Sequence, residues 1–183
     1  MTDIAWDAYL DAFHRERPGI TEDVLGHATS GSTSPYEWLA SALEGDGPVV
    51  DIACGSGPLA AALRPVGWVG VDASAAELGR AAARGAGPLV RARAEATSVA
   101  SRSAGAVVCS MALMILQPID SVVGEVGRLL RPGGTFVAVV PATAPLTRRD
   151  RVRYVRLLVA LRRRRFAYPN DAALGDVGTV LAR

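Results

Sequence analysis

The run Val49-Val50-Asp51-Ile52-Ala53-Cys54-Gly55-Ser56-Gly57-Pro58-Leu59 constrains this chain more than any other stretch. A branched apolar pair leads into an acid, a turn of small residues follows, and an Ala-rich segment comes next. Gly55 and Gly57 take backbone angles closed to other residues and put no side chain in a ligand's way. A helix starting near Gly57 aims its unpaired N–H groups and the positive end of its dipole at the loop. The stretch predicts a strand, a loop and a helix, with a carboxylate at the strand's end. Downstream, Trp68-Val69-Gly70-Val71-Asp72 places a second acid at the end of a second apolar run. Two acids at successive strand ends point to a ligand that spans both.

From Val49 the pattern alternates. Strands are predicted at Pro48–Ala53, Trp68–Val71, Leu89–Arg91, Ala106–Ser110 and Thr135–Val140, and helices at Gly57–Leu63, Ala75–Arg84, Ile119–Leu130 and Arg148–Arg165. Short apolar strands alternating with helices predict an α/β fold, a mostly parallel sheet of about five strands with helices on both faces. Ahead of it, residues 1–47 read as a helical cap of the same domain. Helices are expected over Asp3–His14 and Ile20–Ala28, and a third over Tyr36–Leu43 has Ser34 as its cap and Pro35 in its first turn. Residues 48–183 form the ligand-binding part, closing with a helix from Asn170 to Arg183 capped by Asn170. No C-terminal hairpin of strands is found after Val140, so the sheet is expected to be C-terminally shortened. Its fifth-strand edge is then open to pairing with a second copy in a homodimer.

Composition narrows the class. A length of 183 residues, half of them hydrophobic, suits one domain with a sizeable core. No run approaches the roughly 18 apolar residues of a membrane span. The acidic start Met1-Thr2-Asp3-Ile4 is unlike a secretory signal, so a cytoplasmic protein is expected. All basic residues are Arg, and a net charge of +2 gives no reason to expect nucleic acid as a partner. Two cysteines make no disulfide framework. Cys54 and Cys109 are expected to stay reduced and partly buried, close together on neighbouring strands.

The spacing Gly55-Ser56-Gly57-Pro58-Leu59-Ala60 also fits a dinucleotide loop, but that pattern alone is weak. Asp51, four residues ahead of the glycines, and Pro58, which removes one phosphate-facing N–H, favour another ligand. Asp51-Ile52-Ala53-Cys54-Gly55-Ser56-Gly57 resembles the first motif of the class I S-adenosylmethionine-dependent methyltransferases. Val71-Asp72-Ala73-Ser74 is similar to their second. Arg128-Leu129-Leu130-Arg131-Pro132-Gly133-Gly134-Thr135-Phe136 is similar to the turn before their fifth strand. The three together span about residues 48–141.

The resemblance implies a Rossmann-like domain that takes S-adenosyl-L-methionine as cofactor, uses no metal, and methylates a small-molecule acceptor by direct displacement. It places Asp51 near the cofactor's amino-acid moiety and Asp72 on the ribose hydroxyls, with the backbone of Ala53, Cys54, Gly55, Ser56 and Gly57 along the methionine portion. Ala73 and Ser74 follow Asp72. Ala94 and Glu95 stand at the adenine, where Arg93 replaces a common Asp. Ser110 and Met111 lie beyond the fourth strand, near the reacting methyl. No Asn-Pro-Pro-Tyr sequence is present, which argues against methylation of the amino groups of DNA adenine or protein glutamine.

No catalytic residue is singled out. His14 reads as a general base or as a surface histidine ending its helix, and the second is the expectation. Tyr9, Tyr36 and Trp38 are acceptor-pocket aromatics or staples of the cap. Cys54 is a small packed residue rather than a nucleophile. The stripe Val152, Val155, Leu158, Val159, Leu161 is expected to pack on the sheet with its Arg neighbours solvated. Two other functions fit the pattern less well: a NAD-dependent oxidoreductase on a Rossmann sheet, and a non-catalytic binding protein that kept the fold.

Overall fold

A computed structural model describes residues 3–27, 32–43, 47–63, 67–140, 147–160 and 168–170. The N-terminal part holds α1 (Asp3–Glu16), α2 (Ile20–Leu25) and α3 (Pro35–Ser41). The α/β part then runs β1 (Val49–Ile52), α4 (Leu59–Ala62), β2 (Trp68–Asp72), α5 (Ala75–Ala83), β3 (Leu89–Arg91), β4 (Ala104–Ser110), α6 (Ile119–Leu129), β5 (Leu130–Val139) and α7 (Arg148–Ala160). The described strands form one parallel sheet in the order β3-β2-β1-β4-β5. The chain starts in the middle of the sheet, builds outward through β2 and β3, then returns to β4 on the other side of β1. That reversal opens a crevice at the carboxyl ends of β1 and β4. The predicted closing helix from Asn170 lies outside the described residues, apart from Asn170 itself.

Period-two alternation assigns the two faces. Val50, Ile52, Val71, Val107 and Cys109 pack against Val122, Val126 and Leu129 of α6. Val49, Trp68, Cys54, Ala106 and Val108 pack on the opposite face against Leu39, Leu59 and Leu78 of α3, α4 and α5. The two thiols are free and buried, but they belong to these different faces, so neighbouring strands do not bring Cys54 and Cys109 together. β1 is buried at every position, as a central strand is, whereas no residue of β5 is fully buried.

Two local results differ from the sequence reading. Arg131-Pro132-Gly133-Gly134 does not precede β5; it lies within it. The pairing of β4 with β5 jumps from Ala104↔Leu130 to Ala106↔Thr135, so the extra residues form a bulge, with Gly133 at φ +77°. On α7, Val152, Val155 and Val159 are exposed rather than laid on the sheet. The cap of α3 follows expectation: the Ser34 hydroxyl accepts from the Glu37 N–H, and the Glu37 carboxylate accepts from the Ser34 N–H. No described helix is long and apolar enough to cross a membrane.

Candidate functional site

A cavity of about 1100 Å³ opens at the carboxyl ends of the strands. Asp51, Ala53, Cys54, Gly55, Ser56, Asp72, Ala73, Ser74, Ala94, Glu95, Ser110 and Met111 all line it. Gly57 does not. At φ +71° its bare Cα faces α5 and the turn after it, where an added Cβ would stand 3.2 Å from the Ala81 Cβ and 3.3 Å from the Ala86 Cβ. It is a packing glycine.

The two strand-end acids are held differently. Asp51 sits opposite Gly70 in the β1–β2 register. The missing Cβ of Gly70 lets the Trp68 ring lie back across β2; a Cβ there would stand 2.3 Å from its Cη2. The indole Nε1–H thereby donates to Asp51 Oδ2 at 3.3 Å. Asp51 Oδ1 is buried and accepts no hydrogen bond. Burial pushes this carboxyl up to about 7, with the Trp68 bond opposing and the charge of Asp72 adding to the rise. Asp72 is better solvated by protein: Oδ2 accepts from the Gly55 N–H and Oδ1 from the Ser74 N–H, each at 2.8 Å. Burial still raises it above the usual carboxylate range, against those two bonds.

Ser74 caps α5 by accepting from the Glu77 N–H. Ser74-x-x-Glu77 looks like a capping box, in which Glu77 would reach back to the Ser74 N–H. Asp72 occupies that N–H instead, and Glu77 turns toward the N-terminal helices. Its buried carboxylate accepts from the Gly19 N–H at 2.9 and 3.0 Å and pairs with His14 Nδ1 at 2.8 Å. His14 is therefore no plain surface histidine. It is half-buried, lines the cavity, and is raised above 6.5 chiefly by its bond to Glu77. The same helix holds α2: Arg80 donates to the Pro18 carbonyl and pairs with Asp23, Arg84 pairs with Glu22, and Glu22 accepts from the Ser56 hydroxyl at 2.7 Å. The turn between α1 and α2 is thus tied to α5, and α2 itself to the Gly-rich loop.

The remaining walls come from three places. After β3, Arg93 pairs with Glu95, and the Thr97 N–H and hydroxyl donate to Glu125 of α6 at 2.8 and 2.6 Å. Arg128 beside it holds Glu125 at about 2. After β4, Met111 turns into the left-handed region at φ +57° while its N–H donates to the Val139 carbonyl. Ala53, at the end of β1, is also left-handed, at φ +53°. Finally Tyr168 enters the wall, and the Asn170 amide donates to the carbonyls of Leu113 and Leu116 at 2.8 and 2.6 Å. Of the cap aromatics, Tyr9 and Tyr36 line the cavity and Trp38 is exposed outside it. Burial raises the Cys54 thiol far from its ordinary value, which leaves it neutral and unsuited to attack. Glu77, Trp68 and Tyr168 carried no sequence signal of a role here, since their partners lie far along the chain.

A parallel sheet in this order, with acids ending β1 and β2 above one crevice, is the frame of an α/β domain that binds a nucleotide-like ligand. Residues 50–138 match the family model described as a methyltransferase domain. Over this stretch the chain is similar to methyltransferase domains. Among solved structures, it is similar to a protein of Anaeromyxobacter dehalogenans described as a type II methyltransferase. They share 26% identity at a TM-score of 0.53, over 68% of this chain and 55% of that one. A protein of Bacillus halodurans described as a methyltransferase matches at 25% identity and a TM-score of 0.56, over 79% of this chain and 67% of that one. An S-adenosylmethionine-dependent methyltransferase of Thermotoga maritima shares the fold at 18% identity and a TM-score of 0.59, over 80% and 67%. The chain spans little more than half the length of the first of these relatives. No curated protein matches the sequence.

Proposed function

We propose that this chain transfers a methyl group from S-adenosylmethionine to a small-molecule acceptor, with Asp51, Gly55 and Asp72 at the centre of the donor site. The observation that carries the reading is the unpartnered, buried Oδ1 of Asp51 on the same cavity wall as Asp72 and the open face of Gly55. A buried acceptor atom without a donor is expensive unless a ligand supplies one. An ammonium or a hydroxyl does so. Around Gly55, the nearest atom an added Cβ would meet is Glu77 Oε2 at 3.9 Å, which leaves room for a ligand against the backbone.

The bound cofactor supplies a methyl on a sulfonium, already activated for displacement. The residues of this chain then need to orient and to exclude water. Asp72 keeps lone pairs for vicinal hydroxyls while its present bonds fix the carboxylate plane. Ala94 and Glu95 form the wall beyond β3, where a flat base fits beside the Arg93–Glu95 pair. Ser110 and Met111, at the end of β4, stand on the acceptor side. Calorimetric titration tests this: S-adenosylhomocysteine binds and NAD does not. Binding of NAD alone overturns the reading in favour of an oxidoreductase, and binding of neither favours a non-catalytic protein.

A further inference from the structure

We infer that the acceptor is a hydrophobic, ring-bearing amine that reacts as its free base, seated between α1 and the loop that follows β4. The inference rests on the methyl-donor reading above and adds the substrate class. Three observations lead to it: the size of the cavity, the chemistry of its second half, and the state of every cation that lines it.

At about 1100 Å³ the cavity exceeds the range of roughly 300–1,000 Å³ typical for one small ligand, so donor and acceptor share it. Its polar groups gather along the ends of β1, β2 and β3. The remaining wall has an apolar patch, formed by Leu10 and Phe13 with Tyr9 on α1, facing Met111, Ile115 and Leu116 on the loop, with Asp11 and His14 of α1 and Gln117 beside it. The Tyr9 and Phe13 rings stack at 6.1 Å with 23° between their planes, and a flat ring extends such a stack. Thioether and aliphatic side chains opposite adapt to a ring without specifying polar substituents.

Charge then sorts the acceptors. Two cationic side chains line the cavity among the described residues, and both are engaged: Arg93 with Glu95, His14 with Glu77. An acceptor carrying a carboxylate or phosphate meets no cation there that is not already matched. Among the described residues Asp51 and Asp72, by contrast, have no cationic partner within ion-pair distance, so the site favours a ligand that is neutral or becomes positive. The loop Ser110–Gln117 contains no imidazole or carboxylate, and the Nδ1 of His14 is taken up by Glu77 at 2.8 Å. A hydroxyl that must be deprotonated before attack finds no base on that loop.

An amine that is protonated in bulk water loses that proton to solvent before it enters, and its free base then needs no further deprotonation. Its nitrogen lone pair forms the N–CH3 bond as the S–CH3 electron pair returns to sulfur, giving a neutral thioether and an ammonium whose extra proton then leaves to water. Positive charge moves from sulfur to nitrogen and is not annihilated, so the carboxylate field that suits the reactant also suits the product.

Three probes with one ring and one arm length separate the end groups: 2-phenylethylamine, 2-phenylethanol and phenylacetate. Each is titrated calorimetrically into the full chain loaded with S-adenosylhomocysteine, and assayed for labelled methyl transfer from the donor. The amine is expected to bind about tenfold more tightly than phenylacetate and to be the probe methylated. Phe13→Ala lowers amine affinity about fivefold or more by removing a stacking face, and Leu116→Arg turns the preference toward phenylacetate. S-adenosylhomocysteine binding is retained in both variants. Phenylacetate binding as tightly as the amine, methylation of the alcohol but not the amine, or no probe binding to the loaded protein overturns the inference while the donor reading stands. Failure of S-adenosylhomocysteine itself to bind overturns the donor reading, and the acceptor inference with it.

Discussion

Replacing Asp51 with Asn separates what this carboxylate costs the fold from what it does for a ligand. In the unfolded chain Asp51 ionises near 3.9, and in the folded chain near about 7 because burial disfavours its charge. Below roughly pH 4 both states hold the proton and the group has no effect. Between the two values the unfolded state has released its proton and the folded state has not. Stability therefore falls as pH rises, by about 1.36 kcal/mol per unit. Over some three units the loss reaches on the order of 4 kcal/mol and levels off above pH 7. Asn cannot ionise. It leaves an N–H in place of the orphaned Oδ1, a constant penalty of about 1–3 kcal/mol at every pH. The informative quantity is thus the difference between variant and wild type as a function of pH. Urea unfolding without ligand, from pH 4 to 8, is expected to show that difference shifting in the variant's favour by about 4 kcal/mol. S-adenosylhomocysteine affinity should fall about tenfold or more, the value of a hydrogen bond to a charged group. If the difference changes by less than about 1 kcal/mol across that range, Asp51 is not a desolvated carboxylate and the argument from its unpartnered oxygen fails.

Two further perturbations test how the site is held. Gly70→Ala puts a Cβ 2.3 Å from Trp68 Cη2 and 2.9 Å from Cys54 Sγ, so the indole must leave Asp51. A loss of about 1–3 kcal/mol in urea unfolding, with altered Trp fluorescence, is expected, and unchanged stability refutes the packing. The His14–Glu77 pair raises the histidine above 6.5 in the folded state. Its stabilisation is therefore full below that value and lost as pH climbs through the folded one. Glu77→Gln should return the His14 titration toward 6.5 by NMR and speed amide exchange at Gly19; a His14 curve identical to wild type would falsify the tether.

The parallel sheet was legible because its strands are short apolar runs separated by helix-length segments, and such runs have few other places to go. β3 was read to the residue, and β1, β2 and β4 within two residues at either end. The β5 boundary was not, because Pro and Gly signal a turn locally and only the register with β4 makes them a bulge. Twelve of the thirteen residues expected around the cofactor share one cavity, since strand ends and the loops after them are set by the fold itself. The partners of those residues were not readable. Glu77 and His14 lie 63 positions apart, and Asn170 grips carbonyls 54 and 57 positions away. Trp68 looked like an ordinary strand residue until Gly70 opposite Asp51 gave its ring a path. Such contacts depend on how helices dock on the sheet, a matter of tertiary packing that periodicity does not encode.

The unfavourable terms of this fold are not spread evenly. Four described residues other than glycine take positive φ, and two of them, Ala53 and Met111, end the neighbouring central strands β1 and β4 at the cavity wall. Each costs about 1–3 kcal/mol against a relaxed backbone. A strand that only had to turn into a helix would be served by glycine at no such cost. Asp51, with its buried and unpaired oxygen, stands two residues from Ala53. Strain and desolvation therefore meet where β1 and β4 part, which is also where the sheet reverses direction. A packed turn gains nothing from that coincidence, whereas a site built to meet a charged ligand with a fixed backbone gains orientation before the ligand arrives. The well-satisfied anchors, Glu77 of α5 at the cavity wall and Glu125 of α6 behind it, hold the cap and the loop after β3. They supply the rigidity that keeps the strained strand ends from relaxing.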